Sequence, residues 1–247
     1  MMKRFLKVYS IEQKLAFRSA DGIIFGICMP VGIMVLIAMI AGEKVAGNQG
    51  YTYLDGSFAS LIAVGICAAA FMGIPLTVAD YRDKKILKHF FVTPCSPMLL
   101  LGTIFLCNMV TAVLSALAVT LTAVLGFGYR MVGNPVQFIG AWVLTLVSMF
   151  SIGLMMASVC RTVKSANAIT SLVYFPMLFL SGATIPFELF PEGLQKISSV
   201  LPLTQGIKLM KTASMGMQTE KNGSIVLLLL GITLVCCLIS VKTFRWE

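Results

Sequence analysis

Hydrophobic positions along the chain fall into six long runs separated by short polar connections. A helix that crosses the roughly 30 Å hydrocarbon core of a bilayer needs about 20 mostly apolar residues. The runs cover Ile23 to Ala41, Ser57 to Ala79, Met98 to Leu125, Phe138 to Cys160, Ala166 to Phe187 and Ser224 to Val241. The pattern predicts an all-α, polytopic membrane protein of six transmembrane helices, with residues 1–247 forming a single transmembrane domain. The third run is long enough to tilt or to extend past the bilayer. Only residues 161–165 separate the fourth run from the fifth, which predicts a tight helical hairpin. The first run begins beyond residue 22 and is long enough to span, so it reads as a retained helix rather than a cleaved signal. Pro30, Pro75 and Pro176 lie inside runs and predict kinks.

Three connections carry patterns of their own. In the opening MMKRFLKVYSIEQKLAFR, Lys3, Lys7, Lys14 and Arg18 fall within about 60° of one another on a helical projection, with Arg4 nearby. Phe5, Leu6, Tyr9, Ala16 and Phe17 lie on the far side. This predicts an N-terminal interfacial amphipathic helix over residues 1–20, a pattern that Ile11 and Glu12 break. It suits an orientation anchor, and it suits a contact surface for a cytoplasmic partner. In residues 80–97, DYRDKKILKHFFVTPCSP, the cations Arg82, Lys84, Lys85 and Lys88 alternate with Ile86, Leu87, Phe90 and Phe91. A short helix continuing from the second span is expected there. Pro94 stops it, because Thr93 before it is pushed out of helical geometry. Ser96 then caps the next helix and Pro97 occupies its first turn. Such a rigid helix–break–helix suits force transmission, and it suits a well-capped loop. Residues 188–223 are long for a connection. Pro191-Glu192 starts a helix with Leu194, Ile197 and Leu201 on one face, Pro202 breaks it, and a second short helix runs through Ile207, Met210 and Lys211. With Gly182 and Pro186 just before it, this predicts an irregular end to the fifth span and a re-entrant or surface-lying helical segment before the last span.

Charge sets the orientation. Residues 1–22, 80–97, 161–165 and 242–247 hold 13 of the 19 Lys and Arg, whereas 42–56, 126–137 and 188–223 hold 6. Positive residues favour the cytoplasmic side, so both termini are expected inside. The net charge of +9 therefore points to anionic lipid headgroups and not to nucleic acid. Only 12% of the residues are charged and the mean hydropathy is +0.92, too apolar for a chain dissolved in water.

With these boundaries no charged residue lies inside a span, and His89 is in a connection. A proton- or sodium-coupled carrier commonly keeps carboxylates or His at mid-membrane, and an intramembrane enzyme needs an acid, a base or a metal. Both classes are disfavoured, and no catalytic residue or metal site is assigned. The seven Cys form no CxxC pair and none falls in a connection placed outside, which argues against disulfides and zinc. Inside the spans the polar groups are hydroxyls and amides. Asn108, Thr111, Ser148, Asn167 and Thr170 are candidates to line a path, and also suit helix–helix hydrogen bonds.

Three stretches carry a resemblance to a known family. KHFFVTPCSPMLLLG (88–102), FLSGATIPFELFPEGLQKIS (179–198) and LPLTQGIKLMK (201–211) resemble, in register, motifs of the type-2 ABC transporter permeases, the membrane subunits of ATP-driven exporters. An E-x-G-T stretch often found in the family is replaced here by Asp83-Lys84-Lys85-Ile86. The resemblance implies a permease that works with a separate ATP-binding-cassette ATPase carrying ATP and Mg, and with a second permease chain, identical or related. This chain contains no GxxxxGK[ST] phosphate loop, so no ATP hydrolysis is expected on it. The resemblance also implies that Lys3, Lys7, Lys14, Arg18, Arg82, Lys84, Lys85, Lys88, Phe91, Thr93 and Pro94 dock and couple the ATPase. Gly182, Pro186, Pro191 and Pro202 would belong to an outer gate. Charge-free walls suit an amphiphilic or hydrophobic cargo such as a drug, an antibiotic or a lipid-like molecule, exported across the plasma membrane. A membrane scaffold or an ATP-independent carrier is the alternative.

Overall fold

The structure is a computed structural model that describes residues 2–18, 23–41, 51–86, 97–184, 187, 190–217 and 222–244. Those residues form nine helices. Helix α1 is Met2–Arg18 and α2 is a wide π turn, Ile24–Cys28, that runs into Met29–Ala41. Helix α3 is Tyr53–Asp83, and α4 is Pro97–Leu121 with a π turn Thr122–Gly126 at its end. Then come α5 (Pro135–Val159), α6 (Val163–Leu180), α7 (Glu192–Val200), α8 (Pro202–Met215) and α9 (Asn222–Thr243).

Five helices are long and apolar enough to cross a membrane: α3, α4 from Leu99, α5, α6 and α9. The apolar part of α2, Ile24–Ile40, is shorter. At 1.5 Å per residue its 17 residues rise about 26 Å, a few ångströms less than the hydrocarbon core. The chain is thus an all-helical polytopic membrane protein in which the first of the six expected runs stands apart by length.

Caps explain where the helices exceed or fall short of their apolar runs. Helix α3 starts four residues before the run because Thr52 and Asp55 form a reciprocal capping box. Asn134 caps α5 through Val136 N–H at 2.9 Å, and Thr162 caps α6 with Ser165. The α5–α6 connection is the tight hairpin expected. Helix α6 stops at Leu180, short of the expected Phe187, because Gly182 turns the chain with φ +81. Past the second run α3 continues from Ala79 to Asp83, where a turn with Lys85 in a left-handed conformation (φ 56) interrupts it. Ile86 is helical again, and residues 87–96, which hold the rest of the expected short helix, lie outside the described residues.

The prolines act through wide turns. A proline ring collides with the carbonyl four residues earlier. Pro30 follows the π turn Ile24–Cys28, and Pro75 follows the π turn Ala69–Gly73. Each widened turn gives the ring room, so the helix continues instead of breaking. Pro176 sits within α6 without such a turn.

Helix α3 is the most enclosed span, packed by α2, α4, α5, α6 and α8, whereas α9 is the least enclosed and lies mainly on α5. In lipid the hydrophobic effect does not drive helices together, so close backbone approach and hydrogen bonds must. Gly153 of α5 provides that approach. A Cβ built on it would lie 2.2 Å from the Ala70 carbonyl oxygen in the π turn of α3. Gly153→Ala should therefore force the two backbones apart, at about 1–3 kcal/mol. A clearly lowered thermal unfolding temperature in detergent is the expected result. Gly140→Ala on the same helix, where nothing lies within 4 Å, should leave it unchanged.

Candidate functional site

The last turn of α3 binds other helices through three successive residues. Successive side chains point about 100° apart on a helix, so they fan out to different neighbours. Tyr81 donates its hydroxyl proton to the Glu12 carboxylate of α1, lying 2.8 and 2.7 Å from its two oxygens. Arg82 Nη1 donates to the carbonyls of Ala157 at 2.6 Å and Cys160 at 2.5 Å, at the C-terminal end of α5. Those carbonyls end a helix and have no helical N–H to accept, and a cation suits the negative end of the helix dipole. The guanidinium also lies 4.9 Å from the centre of the Phe244 ring, just past α9. Asp83 accepts from Val163 N–H at 2.8 Å, at the N-terminus of α6. One turn of α3 thus holds α1, α5, α6 and the end of α9.

The residues expected to couple an ATPase divide accordingly. Lys7 and Lys14 are exposed on α1. The backbones of Lys3 and Arg18 belong to α1, and their side chains lie outside the described ones. Lys84 and Lys85 are exposed at the turn after α3, with Lys84 Nζ 2.8 Å from Asp80 one helical turn back. Such a solvated pair adds little stability, about 0–1 kcal/mol. Arg82 is half-buried and directed to α5, a placement that makes it a positioning group within this chain. Lys88, Phe91, Thr93 and Pro94 lie outside the described residues.

A cavity of about 510 Å³ opens beside this turn, between α1, α2, α3 and α4, with α6 at its rim. That volume is in the range of small-molecule pockets. It follows α3 from Ala68 to Lys84, a rise of roughly 24 Å. Its walls are apolar along Ile27, Met72, Leu76 and Ile104, with polar groups at Thr77, Asp80, Glu12, Asn108, Thr111 and Asn167. Three of the five candidate path residues, Asn108, Thr111 and Asn167, therefore meet on one slot. Asn108 fits there because Gly73 faces it, for a Cβ on Gly73 would lie 1.7 Å from the Asn108 Oδ1. Ser148 and Thr170 do not reach the slot. Both are fully buried, and Thr170 Oγ1 donates back to the Ala166 carbonyl at 2.7 Å.

The candidate outer-gate residues sit around α7 and α8. Pro191 and Pro202 stand at the starts of those two helices, Gly182 turns the chain beside Phe187, and Pro186 lies outside the described residues. Helix α7 buries Ser198 and half-buries Leu194 and Leu201, leaving Ile197 exposed, so two of the three residues of the expected Leu194–Ile197–Leu201 face are packed and Ser198 takes the place of Ile197. Helix α8 is far more enclosed. It buries Leu203, Ile207 and Met210 against α3 and α5 and ends on a left-handed Gly216.

Sequence reasoning did not select Glu12 or Tyr81. The signal was nonetheless present, since Glu12 interrupts the amphipathic pattern of α1. It interrupts it because the residue faces protein rather than water: it is 8% exposed. Burial raises the Glu12 carboxyl above its ordinary range, and the Tyr81 hydrogen bond only partly opposes this.

A bundle whose charges gather at the helix ends, around a slot reaching into the membrane zone, has the build of a membrane permease subunit. A family model described as ABC-2 family transporter protein matches residues 38–242. Over 129 residues, 52% of this chain, the sequence is 27% identical to the inner membrane transport permease YhhJ of Escherichia coli (strain K12). That match covers 34% of YhhJ, about a third of its length, and the same figures hold for YhhJ of Shigella flexneri. Nodulation protein J of Neorhizobium galegae is 28% identical over 202 residues, 78% of this chain and 70% of that protein. The chain belongs to the ABC-2 family of transporter proteins, as a membrane permease component and not the ATPase.

Two outcomes test this geometry. Arg82→Gln leaves the carbonyls of Ala157 and Cys160 without their cation, so the end of α5 should loosen. In a variant retaining only Cys160, a thiol 1% exposed, maleimide labelling should rise severalfold. The Glu12 carboxyl is raised on docking, so protonation favours the docked state. Docking of α1 should be strongest below the ordinary glutamate range and weaken as pH rises through the raised value. Hydrogen exchange along α1 should accelerate over that interval, and Glu12→Gln should make it independent of pH.

Proposed function

We propose that this chain is the membrane subunit of an ATP-binding-cassette exporter that moves an amphiphilic or hydrophobic cargo outward across the plasma membrane of a bacterial cell. A separate ATPase subunit, holding ATP and Mg, supplies the energy, and a second permease chain, identical or related, completes the path. In this reading α2 is the sixth crossing, with local thinning of the bilayer and snorkelling of flanking residues making up its short length. Both termini face the cytoplasm, in keeping with the Lys and Arg bias, and basic residues of α1 meet anionic lipid.

The observation that carries the reading is the connection between slot and hub. The slot follows α3 down to Asp80, Tyr81 and Lys84, beside the turn that grips α1, α5 and α6. Force applied to the 80–97 connection then reaches α3 and the slot walls together. The exposure of Lys84 and Lys85 at that turn supports a contact with the ATPase there. The slot itself combines apolar walls with amide and hydroxyl groups, which suits a cargo with a long apolar part and a polar head. The name of one relative, a transport permease, agrees with transport without naming a cargo.

Reconstitution with the co-purifying ATPase tests the proposal. Flux of a labelled amphiphile from vesicles should require ATP, the ATPase and this chain. Flux without the ATPase would indicate a carrier, and ATPase binding without flux would indicate a scaffold. Reversal of Lys84, Lys85 and Lys88 to Glu together should leave membrane insertion intact and lower ATP-driven flux at least tenfold. Normal ATPase binding and flux in that triple variant would remove the coupling role.

A further inference from the structure

The slot contains one buried acid that no cation among the described residues pairs with. Asp80 is paired with Lys84. Glu12 has no cationic partner among the described residues, although it is almost wholly buried. A single hydroxyl proton, from Tyr81, is shared between its two oxygens. An ionised carboxylate accepts about four hydrogen bonds, so most of that capacity is unused. If the acid served only to fasten α1 to α3, a neutral acceptor for Tyr81 would do so without the cost of desolvating a charge. Glu12 also borders the slot, on the same cavity as Asn108 and the apolar positions Ile104 and Met72.

We propose that the slot is a binding site for an amphiphile with an ammonium head, and that Glu12 is its counter-ion. The ammonium sits against the Glu12 carboxylate at the inner end. The apolar tail runs along α3 and α4 towards Met72 and Ile104. A cation supplies the charged partner that the buried carboxylate lacks among the described residues, and charge-assisted hydrogen bonds of this kind are about twice as strong as neutral ones. An anionic head would meet two carboxylates and a single lysine. The inference rests on the reading of the slot as the cargo path and narrows its cargo by charge. The ammonium chemistry is shared by two sources, the head of phosphatidylethanolamine and a foreign single-chain cation.

Equilibrium binding of tritiated dodecylammonium to the full chain tests this. The chain is held in nanodiscs of phosphatidylcholine and phosphatidylglycerol, with empty nanodiscs subtracted. Saturable binding is expected, falling at least tenfold in Glu12→Gln. Glutamine keeps a carbonyl acceptor for the Tyr81 hydroxyl, so α1 stays in place. Dodecyl sulfate of the same length should not bind above empty nanodiscs. Equal binding by the wild type and Glu12→Gln, or binding of dodecyl sulfate as tight as that of dodecylammonium, would overturn the proposal.

A purely structural role would move the pH profile the other way, because docking of α1 weakens as Glu12 ionises. The groups that act on Glu12 or are acted on by it are Tyr81 from α3 and Cys107 from α4, and the Asp80–Lys84 pair lies elsewhere on the slot wall. Affinity for dodecylammonium should rise with pH as Glu12 ionises and then level off, and Glu12→Gln should flatten the profile. A flat profile in the wild type would count against the counter-ion. Repeating the titration with phosphatidylethanolamine in the nanodiscs separates the sources. Weaker probe binding identifies the lipid as occupant, unchanged binding identifies a foreign amphiphile, and either outcome supports the ammonium site. Flux of a neutral amphiphile with no dodecylammonium binding would end this inference and keep the transport reading. Binding that depends on Glu12 without any ATP-driven flux would do the reverse.

Discussion

The bundle depends on how closely other helices can approach α3. Apolar side chains gain nothing by leaving lipid for each other, so contact must come from backbone proximity and from the few polar groups available. At Gly153 the approach brings the α5 backbone onto the Ala70 carbonyl, inside a π turn that already widens α3. Pro75 follows that turn, so one local feature accommodates both the ring and the neighbour. With α5 fixed there, α8 and α9 find their places on α5 in turn.

Polar contact takes over at the inner end. Tyr81, Arg82 and Asp83 are consecutive, and each satisfies a group that a helix end or a buried acid leaves open. The arrangement concentrates the connections between five helices in one turn, directly before the left-handed Lys85. A displacement of that turn cannot be absorbed locally, because every neighbour is bonded to it by a short, directional contact. Rigid elements joined at a shared point are what transmission through a membrane domain requires.

Much of this was legible in the sequence. Apolar runs place all five helices long enough to span, with the largest error the seven residues at the end of α6, and the hairpin at residues 161–165 follows from their spacing. Boundaries were missed where caps or a left-handed residue decide, as at Thr52, Gly182 and Lys85, since hydropathy carries no information about backbone angles. Among candidate path residues, Asn108, Thr111 and Asn167 share the slot while Ser148 and Thr170 do not. Composition could not separate them, for all five are small polar residues in apolar helices. Their difference lies in which way each helix is rotated, and that is set by contacts such as Gly73 against Asn108.

Arg82 and Glu12 mark the limit of pattern reading from opposite sides. Arg82 lies in a basic stretch and reads as part of a solvated docking face, yet its guanidinium is directed to the end of α5 because those carbonyls have no other cation among the described residues. Glu12 reads as a flaw in an amphipathic helix, yet it is the most buried charge described. In both positions the side chain follows the demand of a neighbouring helix and not the periodicity of its own. Ionisable groups kept at such cost in an otherwise apolar bundle are held by particular partners, Arg82 by two helix-end carbonyls and Glu12 by the Tyr81 hydroxyl, and not by the packing around them.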